Sequence, residues 1–188
     1  ASYLVAFGLE IARWVRQVSI NRMVMLAAAA AGMVAHTIYL LNRSGQTGMP
    51  PLLSSTHDWM LVLAWLVVGS YLFLTAVNRK LPLGVFLLPV VIFLIVMAYF
   101  VSDGPNLSVG PKAAIEQAHS GWVMLHATLL VFGITGVVVG FVLSVMYLYQ
   151  HRRLKHHQAM VNDLALPSLE RLARLNRAAV IISVPLLT

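Results

Sequence analysis

Apolar residues along this chain come in long runs, and polar residues gather in short clusters between them. A run of about 20 apolar residues makes a helix long enough to cross a bilayer. The pattern predicts six helical segments. The first, at about 2–14, is "SYLVAFGLEIARW", too short for a full span and without the basic start and small-residue cleavage site of a signal peptide. The second, at about 23–41, is "MVMLAAAAAGMVAHTIYLL". The stretch "NRSGQTGMPPLLSST" follows, and its Gly and Pro punctuation predicts a non-helical loop. Ser55 and Thr56 are candidate caps for the third segment, at about 57–78. The fourth, at about 83–101, contains Pro89, which a membrane helix tolerates as a kink. The fifth, at about 119–150, is long enough to project beyond a bilayer. The sixth starts near Pro167, a residue suited to a first helical turn, and passes from the amphipathic "SLERLARLNRAA" into "VIISVPLLT". The expected architecture is all-α: a polytopic helical membrane protein of about six transmembrane or partly spanning helices, forming a single domain over 1–188.

Composition narrows this further. The chain is 60% hydrophobic and 10% charged, against about 25% charged residues in ordinary globular domains. So few charges cannot solvate a soluble surface. The absence of cysteine excludes disulfides, thiolate metal sites and thioether attachment of haem to this chain. The net charge of +7 would suggest nucleic acid in a soluble protein, but its distribution follows topology instead. Arg13, Arg16, Arg22, Arg79, Lys80, Arg152, Arg153, Lys155, Arg171, Arg174 and Arg177 fall on one side of the alternating helices, and only Arg43 and Lys112 on the other. Eleven against two predicts that the basic side is cytoplasmic, with the N-terminus outside and the 151–165 loop inside. The expected setting is a bacterial-type inner (plasma) membrane, with anionic headgroups, not nucleic acid, facing the basic side.

This topology sorts the histidines. His151, His156 and His157 fall in the cytoplasmic "HRRLKHH", a solvated interfacial cluster with no acidic or Cys partner in the sequence beside it. His36, His57, His119 and His126 all map to the outer half. His36 lies five residues before the outer end of its helix, about 7 Å deep, and His126 enters to a similar depth. Ionisable residues inside a membrane are costly and mark functional sites. Neutral imidazole ligates haem iron and other metals, and Glu10 is the one carboxylate within a span. An apolar, aromatic-edged pocket with histidine ligands suits haem b better than a hydrated ion. Trp59, Trp65, Trp122 and Tyr39 are its candidate walls, although Trp59 and Trp122 equally fit an interfacial aromatic belt.

His119 and His126 share one helix face in "HSGWVMLHATLL", but about 10 Å apart along the axis. They cannot approach one iron from opposite sides, so a paired site needs a second helix. His36 is the best donor by depth. It is expected either at about 10–13 Å from His126 between Cα atoms, as an axial pair requires, or turned to a neighbouring helix as a structural residue. Gly133, Gly136 and Gly140 in "GITGVVVG" read as a helix-packing face. No catalytic triad, phosphate loop or zinc-protease motif is present in the sequence, so no conventional enzyme is indicated and no catalytic residue is assigned. Two other classes stay open: a b-type cytochrome subunit passing electrons through His36 and His126, and a haem-free structural subunit of a larger respiratory or photosynthetic membrane complex.

Three stretches resemble a known family. "TGMPPLLSSTHDWMLVLAW", "HSGWVMLHATLLVFGITGVVVGFVLSVMYL" and "LPSLERLARLNRAAVIISVPLLT" are similar, in matching order, to segments of cytochrome c assembly proteins of the CcsA/ResC type, a framework shared by HemX-like membrane proteins. The resemblance runs from about Gly45 to the last residue. It implies a haem-handling membrane protein that presents haem on the outer face for attachment to apocytochrome c, as part of a cytochrome c haem-lyase system. By motif it implies that His126 ligates external haem; His119 matches the other histidine of the pattern, with a structural or entry role equally open. Trp122 lies between the two. In that family the sixth helix leads into a tryptophan-rich haem motif and further helices, whereas this chain stops at Thr188. A fragment and a shortened relative are both expected readings of that departure.

Overall fold

The computed structural model describes residues 2–16, 22–48, 50–77, 83–101, 121–155 and 168–188. These form seven helices: α1 Ser2–Arg16, α2 Arg22–Thr47, α3 Pro51–Ser54, α4 Thr56–Val77, α5 Gly84–Phe100, α6 Gly121–Lys155 and α7 Leu169–Leu187. Three of them contain stretches long and apolar enough to cross a membrane, Met23–Thr47, Thr56–Val77 and Gly121–Arg152, while Ser2–Ala12 and Gly84–Phe100 are apolar but shorter. The expected all-α membrane architecture is therefore observed, with one short helix added.

The added helix corrects the loop reading of "NRSGQTGMPPLLSST". Helix α2 runs on through Gly45 to Thr47, and Pro51–Ser54 makes a further turn. Gly48, at φ 65°, supplies the stop, its N–H donating to the Ser44 carbonyl. Pro51 opens α3, where its missing N–H costs nothing. Glycine and proline thus end helices here without excluding them. Ser55 is extended and its hydroxyl accepts the Asp58 N–H at 3.1 Å, so it caps α4 as expected.

Helices α1, α2, α4 and α5 pack in a ring, each against the next, and the α6–α7 hairpin leans on α4 and α5. The core holds Ala6, Ala29, Val67, Val68, Tyr71, Leu87, Leu88 and Val91, joined by Leu143 and Met146 of α6. Small residues set the close approaches. A Cβ on Gly32 would stand 2.6 Å from the Tyr3 ring, so α1 and α2 meet there. A Cβ on Gly136 would stand 2.9 Å from the Ser183 side chain, which bears out the packing role of the "GITGVVVG" face against α7. Polar ties also cross the bundle: Trp65 Nε1 donates to Thr37 Oγ1 at 2.8 Å, and the Tyr71 hydroxyl donates to Glu10 at 3.4 Å. Phe73, Phe93, Phe100 and Phe141 face outward, as expected where the surroundings are lipid rather than water.

Candidate haem and histidine sites at one end of the bundle

The helix register brings the C-terminal ends of α2 and α5 and the N-terminal ends of α1 and α4 to one end. Leu40, Leu61 and Ala98 pack together at that level, with Trp65 and Ile95 against them. Helix α6 enters at the same end, because Thr128, Val131 and Phe132 share a small cleft with Leu52, Val62, Trp65 and Leu66. His36, His57 and His126 therefore lie toward one end of the bundle.

The corner of that end is held by Asp58. Its side chain is fully buried, paired with Arg43 Nε at 3.1 Å and hydrogen-bonded to the Ser54 hydroxyl. One carboxylate so joins α2, α3 and α4. It also sits in the first turn of α4, where the helix dipole favours negative charge.

Within this frame lies a cavity of about 550 Å³ between α1, α2, α4 and α5, lined by Ser2, Tyr3, Gly32, Ala35, His36, Tyr39, His57, Leu61, Ile95, Tyr99 and Val101. His36 is 8% exposed. Its Nδ1 lies 3.4 Å from the Tyr3 hydroxyl, the two rings meeting edge to face. Its buried Nε2 has no hydrogen-bond partner among the described residues. His57 Nδ1 lies 2.8 Å from the Ala98 carbonyl. A carbonyl only accepts, so that nitrogen carries a proton.

The structure thus brings His36 together with His57 and three tyrosines, while no α6 residue lines this cavity. His126 lies on the exposed face of α6 instead, in the stripe formed by Trp122, Leu125 and Leu129. That spacing, i, i+3, i+4, i+7, gathers the four side chains on one face. Trp122 is 82% exposed and walls no pocket around His36. Tyr39 does line the His36 cavity, whereas Trp65 lines the cleft toward α6. Trp59 is half-buried in α4. His119 lies outside the described residues, as do His156 and His157. His151 stacks on Tyr147 near the opposite end of α6. Among the described residues no three His, Asp or Glu side chains gather as a metal site. Tyr3 and Tyr99 were missed from sequence. Tyr3 stands at the start of α1 and Tyr99 at the end of α5, and only the packing of those helices brings both to His36.

A helical bundle with apolar spans and histidines gathered at one end defines an integral membrane protein with candidate cofactor-binding positions. The family of cytochrome c assembly proteins matches residues 53–188, and the chain belongs to it. It is therefore a membrane protein with a role in cytochrome c biogenesis. No curated protein and no solved structure matches the chain.

Proposed function

We propose that the protein handles haem at the outer face of a bacterial-type inner membrane, for delivery to apocytochrome c. The family match over residues 53–188, which includes His126, carries this reading. The residues of α6 fit one side of a haem. Trp122, Leu125 and Leu129 offer an exposed apolar wall for a flat macrocycle, and the His126 imidazole projects from the same face. His126 holds the iron, and Trp122 stands one turn before it on the same helix; the role of His119, two residues before that helix in the sequence, is entry or structural. Bound haem supplies the group to be attached to the apocytochrome, and the chain's own residues bind and orient it. Presentation on an exposed ridge suits a cargo that must be passed on, because a partner protein reaches it without opening the bundle. The N-terminus and the His36 end lie outside, and the C-terminal end of α6, with the 156–165 stretch that follows in sequence, lies on the cytoplasmic side.

The test is haem occupancy of the purified protein. His126→Ala should lower it at least tenfold, His151→Ala should leave it unchanged, and added imidazole should partly restore it by filling the vacated coordination position. Haem content that is the same in both variants removes His126 from the role. A wild-type protein free of haem under every preparation supports a scaffold subunit instead.

A further inference from the structure

The cavity around His36 has a chemistry of its own. It lies across the bundle, and its lining comes from α1, α2, α4 and α5, with none from α6. Tyr3, His36 and Tyr39 precede the stretch matched by the family model, so half of the cavity wall stands outside that match. Its contents can be argued from three observations.

The first is charge. None of the lining residues is Lys, Arg, Asp or Glu. Arg43, a cation at this end, is drawn to the buried Asp58 carboxylate and is not part of the lining. A ligand with ionised carboxylates would enter such a cavity without a partner for its charge, and burying unpaired charge is costly. The second is the unsatisfied nitrogen. His36 is more than nine-tenths buried, and its Nε2 lacks a partner among the described residues while its ring faces the cavity. A buried polar atom left without a partner is costly, and an uncharged oxygen on a ligand would satisfy it. The third is shape and access. About 550 Å³ lies in the range of sites for compact organic ligands. Tyr39 and Tyr99 are exposed at the rim, and Leu61 and Ile95 give apolar walls.

We infer that this cavity binds a neutral, lipid-soluble aromatic head carrying ring oxygens, a quinone or its hydroquinone. The Tyr3 hydroxyl beside His36 Nδ1 adapts the site to both forms. When the hydroxyl donates to Nδ1, the proton on Nε2 faces a quinone carbonyl. When Nδ1 carries the proton, Nε2 accepts from a hydroquinone hydroxyl. The proposal is one of binding and is independent of the haem reading of His126.

The test uses the full chain in nanodiscs with a benzoquinone bearing a single isoprenyl unit, and separately its hydroquinone. Saturable binding of both is expected, with the ¹⁵N resonance of His36 Nε2 shifting on titration. Leu61→Trp, which fills the cavity from α4, should weaken binding at least tenfold. Tyr3→Phe keeps the ring that packs on Gly32 and should weaken it severalfold, so the proposal stays testable if the larger substitution fails to fold. His126→Ala should bind the quinone as the unaltered chain does. Absence of saturable binding overturns the proposal, and so does binding that neither Leu61→Trp nor Tyr3→Phe alters. A haem spectrum lost on His36→Gln but retained in His126→Ala also overturns it, because the occupant is then haem.

Discussion

His36 and His126 stand near the same end of the bundle, yet their surroundings are opposite. His36 is enclosed by four helices, and His126 sits on an exposed ridge of a hairpin. Similar depth along the helix axis does not imply a shared site; rotation about the axis and the order of helices around the bundle decide that. A ligand at His36 must pass between helices and is shielded once there. A ligand at His126 is open to a partner from the start. If both positions bind ligands as proposed, the two sites differ in residence time at one end of one bundle.

The most damaging way to break the comparison is to unpin the corner that shapes the enclosed site. Arg43→Ala leaves the Asp58 carboxylate buried without its cation, and losing one partner of a buried pair costs about 3–5 kcal/mol. The expected outcome is a large drop in unfolding midpoint in detergent. The double replacement Arg43→Leu with Asp58→Leu should lie closer to the unaltered protein, since no lone charge remains. Equal loss in the single and double variants would show that packing, not charge, holds α2, α3 and α4 together.

A smaller effect is expected where α1 meets α2. Gly32→Ala forces a Cβ against the Tyr3 ring and should cost about 1–3 kcal/mol by overpacking, loosening the wall beside His36. Gly45→Ala is the control. Nothing lies within 4 Å of its Cβ position, so replacement inside α2 should be neutral or stabilising by up to about 1 kcal/mol. Thermal unfolding of the two variants in the same detergent checks both signs at once.

The orientation behind both sites is tested without any change in stability. The chain has no cysteine, so single cysteines at the exposed Gln46 and Lys155 report on a clean background. A membrane-impermeant maleimide should label them from opposite sides, Gln46 from outside. Labelling of both from one side would remove the outer placement of His36, His57 and His126.

These comparisons also show what was legible in the sequence. The helices were, because runs such as "MLVLAWLVVGSYLFL" are continuously apolar, whereas a barrel strand would alternate apolar and polar residues. The end of α2 was not, because Gly45, Gly48 and Pro50 carry a local loop signal. The helix is kept through that stretch by Arg43 reaching Asp58, fifteen positions away. That His36, His57 and His126 share one end of the bundle was legible, since it needs only helix rise and the alternation of spans. The partner of His36 was not. Tyr3 comes from a helix too short to read as a span, and His57 is brought to the cavity by its bond to Ala98 at the far end of α5. Nothing local in "STHDW" announces either.

The finest test concerns Trp65, which stands between the two regions. Its Nε1 donates to Thr37 Oγ1, the residue next to His36, while its ring lines the cleft against Thr128 and Val131 of α6. Trp65→Phe keeps an aromatic wall toward α6 but removes the donor. Thr37 retains its own bond to the Met33 carbonyl at 2.8 Å, so its hydroxyl is not left without a partner. Polar contacts between helices in lipid stabilise by about 0.6 kcal/mol on average, and a double-mutant cycle with Thr37→Val should return a coupling of that order. If the two sites are independent, quinone binding at His36 and haem occupancy at His126 should each change less than twofold in Trp65→Phe. A large loss at both from this one substitution would mean that Trp65 couples them, and that the enclosed and open histidines act as parts of one site.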